Sequence, residues 1–145
     1  MRKINSDEFL GTGWSFPPTF NRLDAGIELV NHEEDIKQSL LILFSTSPGE
    51  RLMYPEFGCT LKKMVFETLN LGAISKIRDA VKRAILFFEP RIELERVDVN
   101  TDNDPKNKNC VYNGYLEIEV HYRIRQTNTR SNMVYPFYFS EADNV

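Results

Sequence analysis

The spacing of hydrophobic residues along this chain changes once, close to Arg91. Before that residue, three segments place apolar side chains three and four positions apart, which is the spacing of one face of a helix. These segments cover residues 31–44, 60–69 and 70–88. Their apolar positions are Ile36, Leu40 and Leu43 in the first, Leu61, Met64, Val65 and Leu69 in the second, and Ile74, Ile77, Val81, Ile85 and Phe88 in the third. The pattern therefore predicts about three helices.

Capping and turn residues mark where these helices begin and end. Asn31-His32-Glu33-Glu34 has the form of a capping box, in which a side-chain oxygen and an acid three positions later satisfy the first helical amides. Ser47-Pro48-Gly49 ends the first helix, because it joins a proline to a residue that is free to take positive φ. Pro90 ends the third helix, since it has no amide hydrogen and forces Glu89 out of the helical region.

Beyond the third helix the apolar period becomes two, which is the period of a β-strand. Residues 116–124 alternate without a break between apolar and charged side chains. Residues 92–99 change parity, which predicts a bulge near Glu95-Arg96. Residues 133–139 give a last strand, and Pro136 places it at an edge of the sheet. The last two strands are expected to pair as an antiparallel hairpin with the first alongside.

These elements predict an α+β domain. We expect about three helices packed on one face of a small antiparallel sheet, with the third helix covering the apolar face of the strands. At 145 residues the chain can bury about two thirds of its unfolded surface, so we predict a single domain over residues 1–145. Residues 1–10 are expected to be flexible.

The segment from Gly11 to about residue 30 is rich in glycine, proline and aromatic residues, and two interpretations remain open. Trp14, Phe16 and Phe20 either pack on the body of the domain or form an exposed aromatic peptide that docks onto another protein. The spacing favours packing on the domain, and the exposed peptide is the alternative.

The chain offers little for metal, cofactor or nucleic acid binding. Cys59 and Cys110 form no CxxC pair, and His32 and His121 are isolated, so no zinc ligands cluster. We expect both cysteines to be reduced and partly buried, and we expect no cofactor and no small-molecule substrate. The net charge of −3 argues against a nucleic acid partner, which requires a basic face.

The amino terminus also bears on location. Its basic residues are followed by acids instead of an apolar stretch. We therefore expect neither a signal peptide nor insertion into a membrane, and a protein that is made and used in the cytoplasm.

Opposite charges occur together at two sharp turns. Glu89 and Arg91 flank Pro90, so a rigid corner between helix and strand holds both. Arg91 there can cap the helix, pair with Glu89, or bind a carboxylate of a partner in a bidentate fork. Glu50 and Arg51 follow Gly49, and we expect them to act inward as a structural turn.

These two turns occur with Gly11-x-Gly13-x-x-Phe16-Pro17-Pro18 and Pro55-Glu56-Phe57-Gly58. In this order and spacing the four segments resemble the GPW/gene-25-like family. Its members are small baseplate wedge proteins of contractile phage tails, the type VI secretion baseplate subunit TssE and equivalents in extracellular contractile injection systems. The resemblance runs from Gly11 to the strand after Arg91, about two thirds of the chain. The family is variable beyond Asn100, so the resemblance implies nothing about the residues that follow.

The resemblance implies a structural subunit without enzymatic activity. Its partners would be the other baseplate wedge proteins and the sheath protein, in a type VI secretion system or a phage-like tail. In that family the region matching Glu89, Pro90 and Arg91 meets the first sheath layer and helps to start its polymerisation. Gly49, Glu50 and Arg51 match the family's other turn.

Two other functions remain alternatives. One is a soluble binding module such as an anti-adapter, which would capture a single regulatory protein with the same fold. The other is a lysozyme-like glycan hydrolase, which needs two carboxylates across a sugar cleft, one with a raised pKa. Glu50, Glu56 and Glu89 are its only distinctive candidates.

Overall fold

The computed structural model describes residues 12–21, 26–27, 29–66, 71–101 and 115–138. Its contacts divide the chain into two compact units, Met1–Ile42 and Leu43–Val145. Several predictions lie outside the described residues, namely those for residues 1–10, Gly11, Leu69, Asn70, Cys110 and Phe139.

The first unit contains two short antiparallel pairs of strands. β1 (Thr12–Trp14) pairs with β4 (Leu29–Asn31), and β2 (Phe20–Asn21) pairs with β3 (Gly26–Ile27). α1 (His32–Ser45) follows β4 directly, so the helix begins at the predicted capping box and ends one residue beyond the predicted end. The Phe16–Pro17 peptide bond is cis, and the amide of Phe16 donates to Gln38 Oε1 at 2.8 Å.

The aromatic residues of this unit lie on the surface. Trp14, Phe16 and Phe20 are 64%, 46% and 69% exposed, so the prediction that they pack on the body of the domain is wrong. Strands of two or three residues in two-stranded pairs form no broad apolar face on which three rings can be buried. The exposed alternative is therefore confirmed for these side chains, while docking onto another protein stays a prediction.

The second unit is built on a three-stranded antiparallel sheet. β5 (Ile92–Thr101), β6 (Tyr115–Ile124) and β7 (Thr129–Tyr138) lie in the order β5-β6-β7, which confirms the predicted hairpin and its neighbour. The alternating residues of β6 are all buried, namely Leu116, Ile118, Val120, Tyr122 and Ile124. The register shifts between Leu94 and Arg96, where the bulge was predicted, and Pro136 lies on an edge strand.

α2 (Leu71–Phe88) contacts β5, as predicted for the longest helix. Ile77, Val81 and Ile85 are buried, at steps of four residues that place them on one face. The helix begins one residue after the first predicted position, and it ends at Phe88 as predicted, because the chain reaches Pro90 two positions later.

The prediction of a third α-helix is wrong. The segment after Gly58 forms a seven-residue 3-10 helix, Thr60–Phe66, so the described residues hold two α-helices, α1 and α2. Leu61 is buried and Met64 half-buried. These two apolar residues stand three apart, which suits the three-residue turn of a 3-10 helix. Over so few residues an apolar pattern cannot separate a period of 3.0 from one of 3.6.

Two glycines shape the chain between α1 and this 3-10 helix. Gly49 has a φ of 95° and Gly58 a φ of 131°, both in the region that favours glycine. A Cβ at Gly58 would lie 2.5 Å from the carbonyl oxygen of Thr46, so the backbone passes too close for any other residue. The amide of Cys59 then donates to the same oxygen at 2.8 Å, which closes the segment.

The burial of α2 leads to a prediction about stability. Ile77→Ala should lower the free energy of unfolding by roughly 2–5 kcal/mol, because it removes buried methylene groups and leaves a cavity. Leu86→Ala on the same helix is the control, since Leu86 is 74% exposed, and it should change stability by less than about 0.5 kcal/mol. Urea unfolding measures both, and equal effects would contradict this packing.

Candidate functional site

The corner between α2 and β5 is fixed through its backbone. The amide of Glu89 donates to the carbonyl oxygen of Ile85 at 3.0 Å, which is the last bond of the helical ladder. Pro90 has no amide hydrogen, so the ladder cannot continue. The amide of Arg125, just after β6, donates to the carbonyl oxygen of Arg91 at 3.0 Å. This hydrogen bond joins the corner to the end of β6.

The side chains of the corner form a bidentate ion pair. Arg91 Nε donates to Glu89 Oε1 at 2.7 Å, and Arg91 Nη2 donates to Glu89 Oε2 at 2.9 Å. Glu89 is 3% exposed, whereas the Arg91 side chain is 29% exposed. Of the three roles that the sequence left open for Arg91, pairing with Glu89 is the one that the structure shows. Two donors of its fork are committed inside the chain.

A groove of about 580 Å³ opens beside this corner, and we call it the corner groove. Pro90 is exposed at its edge, while buried Glu89 forms part of its wall. The remaining lining comes from α2, from β5 and from the residue after β6, namely Lys82, Ile85, Leu86, Ile92, Glu93, Leu94, Glu95 and Arg125. A partner that approaches the corner would therefore meet proline, leucine and mixed charges.

The turn at Gly49 is also built from contacts within the chain. The amide of Gly49 donates to the carbonyl oxygen of Pro55 at 2.7 Å, which closes a tight loop. Glu50 pairs with Lys62 of the 3-10 helix at 3.1 Å, and the Arg51 guanidinium lies 4.0 Å from the centre of the Phe57 ring. Both side chains are exposed, and these contacts are made within the chain. Their role as a structural turn stays a prediction.

An aromatic cluster joins this loop to the end of α2. The Phe88 ring lies 5.8 Å from the Tyr54 ring, edge to face, and 5.2 Å from the Phe57 ring. Such pairs add about 0.5–1.5 kcal/mol beyond the burial of their area. The apolar spacing of α2 predicts Phe88 in its buried stripe but indicates no partner for the ring. The only local signal was the pair of aromatic residues around Pro55 and Glu56.

A second groove, the aromatic groove, lies between this cluster and the 3-10 helix. Its volume is about 570 Å³. It is lined by Pro48, Tyr54, Glu56, Gly58, Cys59, Thr60, Met64, Lys76, Asp79, Ala80, Arg83, Ala84, Phe87 and Phe88. No local sequence pattern marks this groove, because its two sides come from segments about 30 residues apart.

Glu50, one of the acids considered for glycan hydrolysis, does not have the pKa of a general acid. Such an acid needs a raised pKa. The hydrogen bond from Lys62 and a backbone hydrogen bond with Ser47 lower the pKa of Glu50. Glu89 is held by Arg91 in the ion pair.

Other chemistry at these residues is limited. Burial raises the pKa of the Cys59 thiol to about 11, which keeps it neutral and poorly nucleophilic at pH 7. His121 lies in a surface network, with Nε2 at 3.3 Å from Glu119 and 3.5 Å from Asp98. Within the described ranges, no group of three or more His, Cys, Asp or Glu residues could hold a metal ion. None of the described helices is long and apolar enough to span a bilayer.

The sequence of this chain matches a known protein family. A family model described as baseplate wedge protein gp25 matches residues 30–129, which confirms the resemblance that the ordered turns indicate. Baseplate wedge protein gp25 of Enterobacteria phage T4 is 36% identical over 64 residues, which make up 44% of this chain and 48% of that protein. The chain thus matches about half the length of this curated relative.

Solved structures give the same fold. A candidate tail lysozyme from Geobacter sulfurreducens is 42% identical, with a TM-score of 0.64 over 76% of this chain and 93% of that chain. A chain of the anti-feeding prophage baseplate is 25% identical, with a TM-score of 0.65 over 95% of this chain and 93% of that one. A chain of the postcontracted pyocin R2 baseplate is 21% identical, with a TM-score of 0.50 over 83% and 97%, and shows the fold alone.

The ion pair at the corner leads to a prediction. Arg91→Ala should lower the free energy of unfolding by roughly 3–5 kcal/mol, because it leaves the Glu89 carboxylate buried without its charge partner. Arg130→Ala is the control, since Arg130 pairs with Glu95 while 77% exposed, and it should cost less than about 1 kcal/mol. Thermal and urea unfolding measure both.

A double variant tests the same explanation by removing both charges of the ion pair. Glu89→Met combined with Arg91→Met should recover most of the lost stability, since no charge then remains buried. If Arg91→Ala unfolded like Arg130→Ala, the pair would not support the corner.

Cys59 gives a pH prediction. Its folded pKa of about 11 lies above the unfolded value of about 8.5, so its stabilising effect is complete below pH 8.5. It should be lost as the pH rises towards 11, with a slope of at most about 1.4 kcal/mol per pH unit. The difference in stability between the natural chain and Cys59→Ala, measured from pH 7 to 11, isolates this effect. A difference that stays constant over that range would contradict it.

Proposed function

Because this chain belongs to the baseplate wedge protein gp25 family, we propose that it is a structural wedge subunit of a contractile injection machine that helps to start sheath assembly. The machine would be a type VI secretion system or a phage-like tail. The family match over residues 30–129 supports this, since it contains the corner and the Gly49 turn. Similarity to a chain of the anti-feeding prophage baseplate over 95% of this chain supports it further.

The observation that carries the proposal is the ion pair between buried Glu89 and half-buried Arg91, on either side of the exposed Pro90. In our proposal, Glu89, Pro90 and Arg91 form the sheath contact, with unequal tasks. Glu89 and Arg91 hold the corner, while Pro90 and the exposed side chains of the corner groove touch the sheath. A surface that is already rigid loses little conformational entropy on binding, so it can fix the position of the first sheath subunits.

The proposal also covers the partners of the protein, the absence of catalysis and its location. The protein acts through contacts with other wedge proteins and with the sheath, and it catalyses no reaction. Its neutral Cys59 thiol and the lowered pKa of Glu50 agree with a structural role. It works in the cytoplasm, assembled into a baseplate.

Leu86→Asp tests the sheath contact without touching the ion pair. Leu86 is 74% exposed and lines the corner groove, so the variant should fold normally and join its wedge partners. A charge at an apolar contact should reduce the number of particles that carry a sheath by about tenfold, which corresponds to 1.4 kcal/mol. Electron microscopy counts the particles, and co-purification measures wedge assembly.

Ser75→Asp is the matched control. Ser75 is exposed on the same helix, takes the same new charge and lines none of the described grooves. It should leave sheath numbers unchanged. Normal sheaths from Leu86→Asp would remove the corner groove from sheath assembly. A chain that binds one soluble regulatory protein and no wedge component would support the anti-adapter alternative instead.

A further inference from the structure

The aromatic groove has an apolar end that is open to solvent. Phe87 is 68% exposed and Tyr54 is 49% exposed, although both lie beside the packed ring of Phe88. Leu52 and Met53, at the tip of the adjoining loop, are 96% and 98% exposed. Exposed apolar side chains that lie together in this way mark sites of protein interaction more often than isolated ones do.

The rest of the groove wall on α2 carries alternating charges. Phe87 is preceded on α2 by Arg83, Asp79 and Lys76, at steps of four, four and three residues. These four side chains therefore lie on one strip of the helix. Arg83 makes no hydrogen bond or ion pair with any described residue, unlike Arg91. A carboxylate of a partner can therefore bind its guanidinium without displacing a described residue.

We propose that the aromatic groove binds a segment of another baseplate protein in which an apolar side chain lies one helical turn from an acidic one. This inference rests on the proposed function, because it assumes that the chain assembles with other baseplate proteins. The apolar side chain lies between Tyr54 and Phe87, and the acid pairs with Arg83. Further along, a base faces Asp79.

The strip sets the spacing of this partner segment. Side chains four apart on a helix have Cβ atoms about 5–6 Å apart, so the apolar side chain and the first acid of the partner must be separated by a similar distance. Positions three or four apart on a helix, or two apart on a strand, provide it. A partner sequence without such a pair would not fit.

Other occupants fit the strip less well. A second copy in antiparallel orientation would pair Asp79 with Arg83, but it would place Lys76 on the apolar end and leave Phe87 without an apolar partner. An anionic lipid surface carries one sign of charge. It would be repelled by Asp79 within the strip and by Glu56 on the opposite wall.

The test begins with the assembled complex. The chain is expressed together with the baseplate proteins of the same machine, the complex is cross-linked, and mass spectrometry identifies the segment that reaches the aromatic groove. A synthetic peptide of that segment is then titrated onto the purified chain by calorimetry at 0.15 M salt, near physiological ionic strength. We expect the segment to contain an acid and an apolar residue at the stated spacing.

Neighbouring residues on α2 provide matched controls. Arg83→Glu and Phe87→Asp should each weaken peptide binding at least about tenfold, a change of 1.4 kcal/mol. Lys82→Glu likewise reverses a positive charge, and Leu86→Asp likewise replaces an apolar side chain with an acid. Each residue lies one position earlier on α2 and lines the corner groove. They should leave the affinity for the peptide within about twofold, a difference well below 1 kcal/mol. Melting curves establish that all four variants are folded.

Several outcomes would overturn the inference. Equal losses in both pairs of variants would show a general charge effect rather than binding in the aromatic groove. A dimer that Arg83→Glu dissolves would assign the groove to a second copy, and binding to anionic vesicles that the same variant abolishes would assign it to lipid. Cross-links elsewhere in an intact wedge complex would reject the groove but keep the proposed function. No complex with any wedge component would reject both.

Discussion

The ion pair between buried Glu89 and half-buried Arg91 fixes the corner at which the chain passes from α2 to β5. Pro90 ends the helix but leaves open where the next strand goes. Two hydrogen bonds from one guanidinium to one carboxylate hold the residues on either side of the proline in a single arrangement. Because the amide of Arg125 then bonds to Arg91, the register of β5 beside β6 depends on this corner.

A buried ion pair contributes little net stability compared with apolar residues of the same volume, because both charges lose their hydration. We therefore interpret the pair as a device for geometry. An apolar pair would pack at several angles, whereas a bidentate pair has one favourable geometry. This interpretation explains why a charged residue that is 3% exposed lies at the end of an amphipathic helix, where an apolar residue would be easier to bury.

α2 carries a different surface on each side of its exposed ridge. Lys82 and Leu86 line the corner groove, whereas Arg83 and Phe87 line the aromatic groove. Successive residues of a helix are about 100° apart, so neighbours in sequence can face different partners. A single helix can thus serve two contacts at once, while its third side is buried against β5. The large exposed apolar side chains beside both grooves are consistent with a subunit that works inside an assembly.

The sequence by itself determined the features that depend on local periodicity and on single-residue chemistry. The stripe of α2, the alternation of β6, the helix stop at Pro90 and the bulge near Arg96 are all of this kind. Only the tertiary structure decided which partner Arg91 takes. It also decided that the segment after Gly58 is a 3-10 helix and that an aromatic groove exists. These features depend on distances between segments far apart in the chain, and apolar spacing within one segment carries no information about what packs beside it.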